Sequence, residues 1–165
     1  MGLQLPPELI SLLGMLGYEW PESNEESIFT LAGEWTGMAD QLSGKIEALD
    51  VAARKVLDGN KGADIDAFNA SWSDPEGGVR NLADAADPSQ TVNIGLTVSA
   101  GLILALKIQV IVQLAILAVQ IAWAIATAAV TFGASMLQVP IFKTITGLII
   151  DQLMTQATNL VLNGK

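Results

Sequence analysis

The side chains able to do polar chemistry in this 165-residue sequence are carboxylates, hydroxyls and a few lysines, for it contains no His and no Cys. That absence removes thiol nucleophiles, disulfides, imidazole acid-base catalysis and the usual zinc ligand sets together. Two close acid pairs remain, Glu25-Glu26 and Asp64-Ile65-Asp66. By type they could serve a hydrolase dyad or hold a metal, but both stand at the start of helical patterns, where capping and the helix dipole account for them. A serine with a lysine base would need Lys45, Lys55 or Lys61, which read as lying on solvated faces. Gly59-Asn60-Lys61-Gly62 superficially has the letters of a phosphate-cradling loop, without its strand or its spacing. The sequence therefore reads as a non-enzyme, with no catalytic residue, no cofactor and no metal site.

The elements that carry these residues differ between the two halves. Residues 1–87 hold 16 acids and 5 bases, whereas residues 88–165 hold 1 acid and 3 bases. An acidic chain without clustered Lys and Arg is no nucleic-acid binder. The start, Met1 to Glu8, lacks the basic region, apolar run and small-residue cleavage site of a secretory signal, so any export is expected by a non-cleaved route. The length suits one helical domain over residues 1–165, with acidic helices in 1–87 and apolar helices in 88–165.

Pro6 and Pro7 open a short helix that Gly14 or Gly17 closes. Ser23 with Glu26 reads as a capping box for a long second helix. Along it, Ile28, Leu31, Trp35, Met38, Leu42, Ile46, Leu49, Ala53 and Val56 form a heptad-like seam. Gly33, Gly37 and Gly44 each cost roughly 1 kcal/mol there, so this helix needs a packing partner. Gly59 to Gly62 stop it, a short helix spans about Ala63 to Ser71, and a polar one covers Val79 to Ala86. From Asp87 to Asp151 the only charges are Lys107 and Lys143; this stretch reads as a long helix broken at Pro140, followed by a last helix stopped by Asn163-Gly164. The fold class is all-α: an elongated antiparallel helical hairpin or bundle with a short N-terminal helix and a long apolar second-half helix.

The charge-free run from Ile108 to Phe142 exceeds the roughly 20 residues that cross a bilayer. Gln109, Gln113, Gln120, Thr127, Thr131 and Gln138 recur at steps of four and seven and fall on one helical stripe. Such a stripe suits a wet strip on a buried helix, polar glue between membrane helices, or the lining of an oligomeric pore.

The sequence resembles the WXG-type helical-hairpin superfamily, specifically the N-terminal domains of actinobacterial polymorphic toxins and channel-forming toxin precursors exported by type VII secretion. The resemblance rests on Leu3-Gln4-Leu5-Pro6-Pro7-Glu8-Leu9, Leu16-Gly17-Tyr18-Glu19-Trp20-Pro21, the Phe68-to-Trp72 spacing, Ala105-Leu106-Lys107 and Thr131-Phe132-Gly133-Ala134-Ser135. Of two candidates for the Trp-x-Gly turn, Trp35-Thr36-Gly37 has the letters but sits mid-helix, while Trp72 has the position but carries Asp74 where the glycine belongs. The resemblance implies a secreted or cell-surface export and docking module. Its implied partners are small WXG-type hairpin proteins and the type VII machinery, with Trp35, Gly37, Leu42, Leu49, Phe68 and Trp72 as interaction or packing residues. The family's Tyr-x-x-x-Asp/Glu export signal has no counterpart beyond the hairpin, so a partner or a C-terminal region is expected to supply it. The alternative it implies is a membrane-inserting, channel-forming domain, with a homo-oligomer lined by the Gln/Thr stripe.

Overall fold

The computed structural model describes residues 2–163, and every regular element among them is helical. In order these are α1 (Pro7–Met15), α2 (Glu25–Gly59), α3 (Ala63–Trp72), α4 (Gly78–Asp84), α5 (Ala86–Thr127), a 3-10 turn (Ala134–Leu137) and α6 (Gln138–Asn163). The all-α hairpin expectation holds. The expected stop at Gly164 lies outside the described residues.

Local chemistry sets most of the boundaries. Pro7 opens α1, and Gly17, at φ +87°, ends it by reversing the chain so that the Tyr18 N–H reaches the Leu13 carbonyl. The start of α2 differs from the expected Ser23 box: Asn24 Oδ1 accepts the Ser27 N–H at 3.2 Å, the geometry of an N-cap one residue later. The apolar second half also breaks earlier than at Pro140. Helix α5 ends at Thr127, residues 128–137 turn, and Pro140 lies in the first turn of α6, where its missing N–H costs nothing.

The chain divides into two compact units that do not follow the charge boundary at residue 87: Met1–Ser27 with Ser99–Lys165, and Ile28–Val98. In the first, α1, the later part of α5 and α6 enclose one apolar cluster. Its buried members are Leu5, Leu12, Leu13, Val110, Leu114, Leu117 and Ile150, with Tyr18, Trp20, Ile121 and Phe142 packed around them. The α5 and α6 helices run antiparallel, since Gln109 shares a groove with Gln156 while Gln120 shares one with Phe142. The Tyr18 hydroxyl donates to the Gly147 carbonyl at 3.0 Å, pinning the loop after α1 to α6.

In the second unit, α2 packs on the first turns of α5 with α3 and α4 between them in sequence. The buried line of α2 is Ala32, Ala39, Ile46 and Ala53, at steady seven-residue steps. From α5, Asn93 Nδ2 donates to the Ala32 carbonyl at 2.7 Å and to Thr36 Oγ1. Near the other end of α2, Ala83 shares a groove with Ile46 and Arg54. The two helical arms of this hairpin are therefore antiparallel.

Candidate functional site

Helix α5 carries an unbroken seam in alternating steps of four and three: Ser89, Asn93, Leu96, Ala100, Ile103, Lys107, Val110, Leu114, Leu117, Ile121 and Ala124. Every one of these is buried or half-buried, and Lys107 is among them with 0 % of its side chain exposed. An ammonium so placed is tolerable only with full hydrogen bonding and a counter-charge. It has both. Lys107 Nζ lies 2.8 Å from Glu25 Oε2, 2.6 Å from the Ser23 carbonyl and 3.4 Å from that of Leu3, and 5.7 Å from the centre of the Trp20 ring. Three donors meet three acceptors, over an aromatic face.

Glu25 completes the clasp by accepting the Leu3 N–H on Oε1. Burial alone would raise its pKa, but the hydrogen bonds from Lys107 and Leu3, with the lysine charge, prevail and hold it down at about 2. Gly2 is required beside it, because a Cβ there would fall 2.7 Å from Glu25 Oε2. The N-terminal strand, the loop before α2 and the middle of α5 are thus tied at one charge pair. The ammonium and the carboxylate are both satisfied within the protein, so the clasp holds structure, while the buried Trp20 Nε1–H beside it has no hydrogen-bond partner.

The residues expected from sequence as packing anchors are all in the second unit. Trp35, Gly37 and Leu42 are half-buried on α2. Phe68 and Trp72 stack on α3 with ring centres 5.8 Å apart, and Trp72 Nε1–H donates to Asp50 on α2 at 3.1 Å. Leu49 is 42 % exposed, because the buried line runs through Ala39, Ile46 and Ala53 one step round the helix. With it, Leu31, Met38 and Val56 are exposed at 41–44 %. Spacings of 7, 11 and 7 bring these four to the same side of α2, an apolar shoulder beside the buried line. A Cβ added at Gly33, Gly37 or Gly44 would meet nothing, so none of them serves a close approach within the chain.

The six-residue polar stripe also needs correction. The helix ends at Thr127, so Thr131 and Gln138 do not continue the line of Gln109, Gln113 and Gln120. The turn nonetheless returns Thr131 and Gln138 to Gln120 and Thr127, and these four line one groove with Trp123 and Phe142, of about 370 Å³. Gln109 lines a separate groove with Leu106 and Gln156, and Gln113 is half-buried. Among the described residues, no three acids gather in a group that could hold a metal, and Asp64 and Asp66 are exposed in the first turn of α3.

Sequence reasoning missed the clasp. Glu25 read as a dipole acid, and Lys107 as one of two isolated charges and the end of the Ala105-Leu106-Lys107 motif, without a partner for either. The signal was there: Lys107 is the one charged residue on the four-three seam of α5, and a charge on a seam must be paired.

A family model described as WXG100 like domain matches residues 5–148. No curated protein matches, and no solved structure matches.

Proposed function

The chain belongs to the WXG100-like domain family, and from that membership together with the uncovered shoulder of α2 we propose that it is a non-catalytic export and docking module. In this reading it is the N-terminal part of a type VII secreted polymorphic toxin and travels with a small WXG-type hairpin protein. The observation that carries the reading is the row Leu31, Met38, Leu49 and Val56. It flanks the buried line of Ala32, Ala39, Ile46 and Ala53, and a second helix pair laid against it would extend the two-helix seam into a four-helix bundle. Burying these side chains contributes at about 25 cal/mol per Å² before association costs. The fully occupied clasp and the missing imidazole and thiol chemistry support a role without catalysis.

The test is co-expression with a small hairpin protein of the same family encoded beside it. A Leu31→Glu/Leu49→Glu chain is expected to fold and to lose the partner, while Asp64→Ala on the exposed start of α3 keeps it. Retention of the partner by the double variant would refute the docking face.

A further inference from the structure

Where the turn after α5 folds back, it closes a groove of about 370 Å³, with Gln120, Trp123 and Thr127 of α5 on one side and Thr131, Gln138 and Phe142 on the other. All six belong to the same compact unit. Part of the polarity here is committed to shape. The Ser135 hydroxyl donates to the Ala124 carbonyl at 2.7 Å, the Ser135 N–H to Thr131 Oγ1 at 3.2 Å, and the Thr127 hydroxyl to the Trp123 carbonyl at 2.9 Å. The two Ser135 bonds tie the turn to the end of α5, so the walls stand before any ligand arrives and little ordering is left to oppose binding.

The other polar groups are open. The carboxamides of Gln120 and Gln138 and the indole N–H of Trp123 have no hydrogen-bond partner among the described residues, although Gln120 is half-buried. A carboxamide in that position has given up part of its water without a bond in exchange. Beside it the Trp123 ring is 72 % exposed, and Phe142 is half-buried across the groove.

These walls select by chemistry. No charged residue lines the groove, so a phosphate, carboxylate or ammonium would enter without a counter-charge. A purely apolar ligand would cover the carboxamides and leave them unpaired. A neutral sugar meets both demands. Its hydroxyls donate and accept, as a carboxamide does, and the C–H face of a pyranose ring stacks on the electron-rich face of an indole. A peptide matches the carboxamides but offers the indole no continuous C–H face.

We propose that this groove binds a neutral saccharide, with a pyranose ring laid on Trp123 and its hydroxyls bonded to Gln120 and Gln138. Its volume lies near the low end of the roughly 300–1,000 Å³ of small-ligand sites, room for about one or two sugar rings. The inference goes beyond the docking reading above and does not depend on it: the α2 shoulder belongs to the other unit.

The test is a titration of the nitrogen-labelled chain, followed by nuclear magnetic resonance, with cellobiose, maltose and chitobiose as neutral probes. Digalacturonate serves as the charged probe and acetyl-trialanine amide as the peptide. At least one neutral disaccharide is expected to move the side-chain amide signals of Gln120 and Gln138 and the indole N–H signal of Trp123 saturably, with Kd on the order of 1 mM. Digalacturonate and the peptide leave these signals in place. Trp123→Ala weakens binding at least about tenfold with unchanged circular dichroism, because the ring is mostly exposed, and Trp123→Phe recovers most of the loss. Gln120→Ala weakens it about fivefold. Absence of shifts with all three neutral disaccharides overturns the proposal. So does a Trp123→Ala chain that binds like the parent, or digalacturonate binding as well as the neutral sugars. Shifts produced by the peptide alone would overturn it too, and would assign the groove to protein recognition.

Discussion

The two compact units close in opposite ways. Residues 2–27 with 99–163 surround a cluster of leucines and bury a charge pair at its side, tying together segments 82 residues apart in sequence. Residues 28–98 close along alanines, a serine and one isoleucine, and leave leucine, methionine and valine outside. A seam of small residues brings helices near but buries little apolar area. A cluster of large residues buries much and then has to accommodate any charge within it. Both units leave large apolar side chains outside, Val119, Trp123 and Phe132 in the first and Leu31, Met38, Leu49 and Val56 in the second, and what separates them is the charge pair buried in the first.

The clasp is where this contrast breaks most easily. Lys107→Met should destabilise the first unit by about 3–5 kcal/mol, since Glu25 is left buried without a counter-charge, and denaturant unfolding measures it. Adding Glu25→Gln to Lys107→Met should recover much of that loss. A single variant no worse than the double one would mean that the pair is not coupled.

Acid acts on the same contact. Glu25 has its folded pKa depressed from 4.5 to about 2, so its contribution is fully present above pH 4.5 and is lost as pH falls toward 2. The amount is on the order of 3 kcal/mol. Between pH 7 and 5 this contact should not weaken, and mild acidification is therefore no trigger for opening it. Denaturation midpoints against pH should fall below pH 4.5 in the parent and lose that part of the slope in Glu25→Gln.

Smaller effects sharpen the second unit. Asp50→Ala should cost about 1 kcal/mol by removing the acceptor of Trp72 Nε1–H, read as a lower melting temperature. Gly33→Ala and Gly44→Ala should each stabilise the isolated chain by up to about 1 kcal/mol, because a Cβ at either site meets open space. Leu49→Glu should change stability of the isolated chain by less than about 0.5 kcal/mol.

Much of the helical layout was legible, because prolines, glycines and polar caps mark its ends. Pro7, Gly17 and the Gly59–Gly62 stop act as their chemistry directs. The faces were harder to read. On α2 the heptad pattern of large side chains found the correct side within one step, but the line that packs is Ala32, Ala39, Ile46 and Ala53. An alanine is apolar on either face, and only its neighbours decide which way it points. On α5 nearly every side is apolar, so periodicity gives no face, and only Ser89, Asn93 and Lys107 mark the seam. The Gln/Thr stripe marked a real groove for a different reason, a turn at Thr127 that four-residue and seven-residue spacing does not reveal.

The docking claim is tested most directly by hydrogen exchange of the chain alone and with a co-expressed small WXG-type hairpin protein. Docking on this face adds protection along α2, residues 28–59, and leaves residues 99–163 unchanged. Protection gained along residues 99–163, or nowhere, would contradict it.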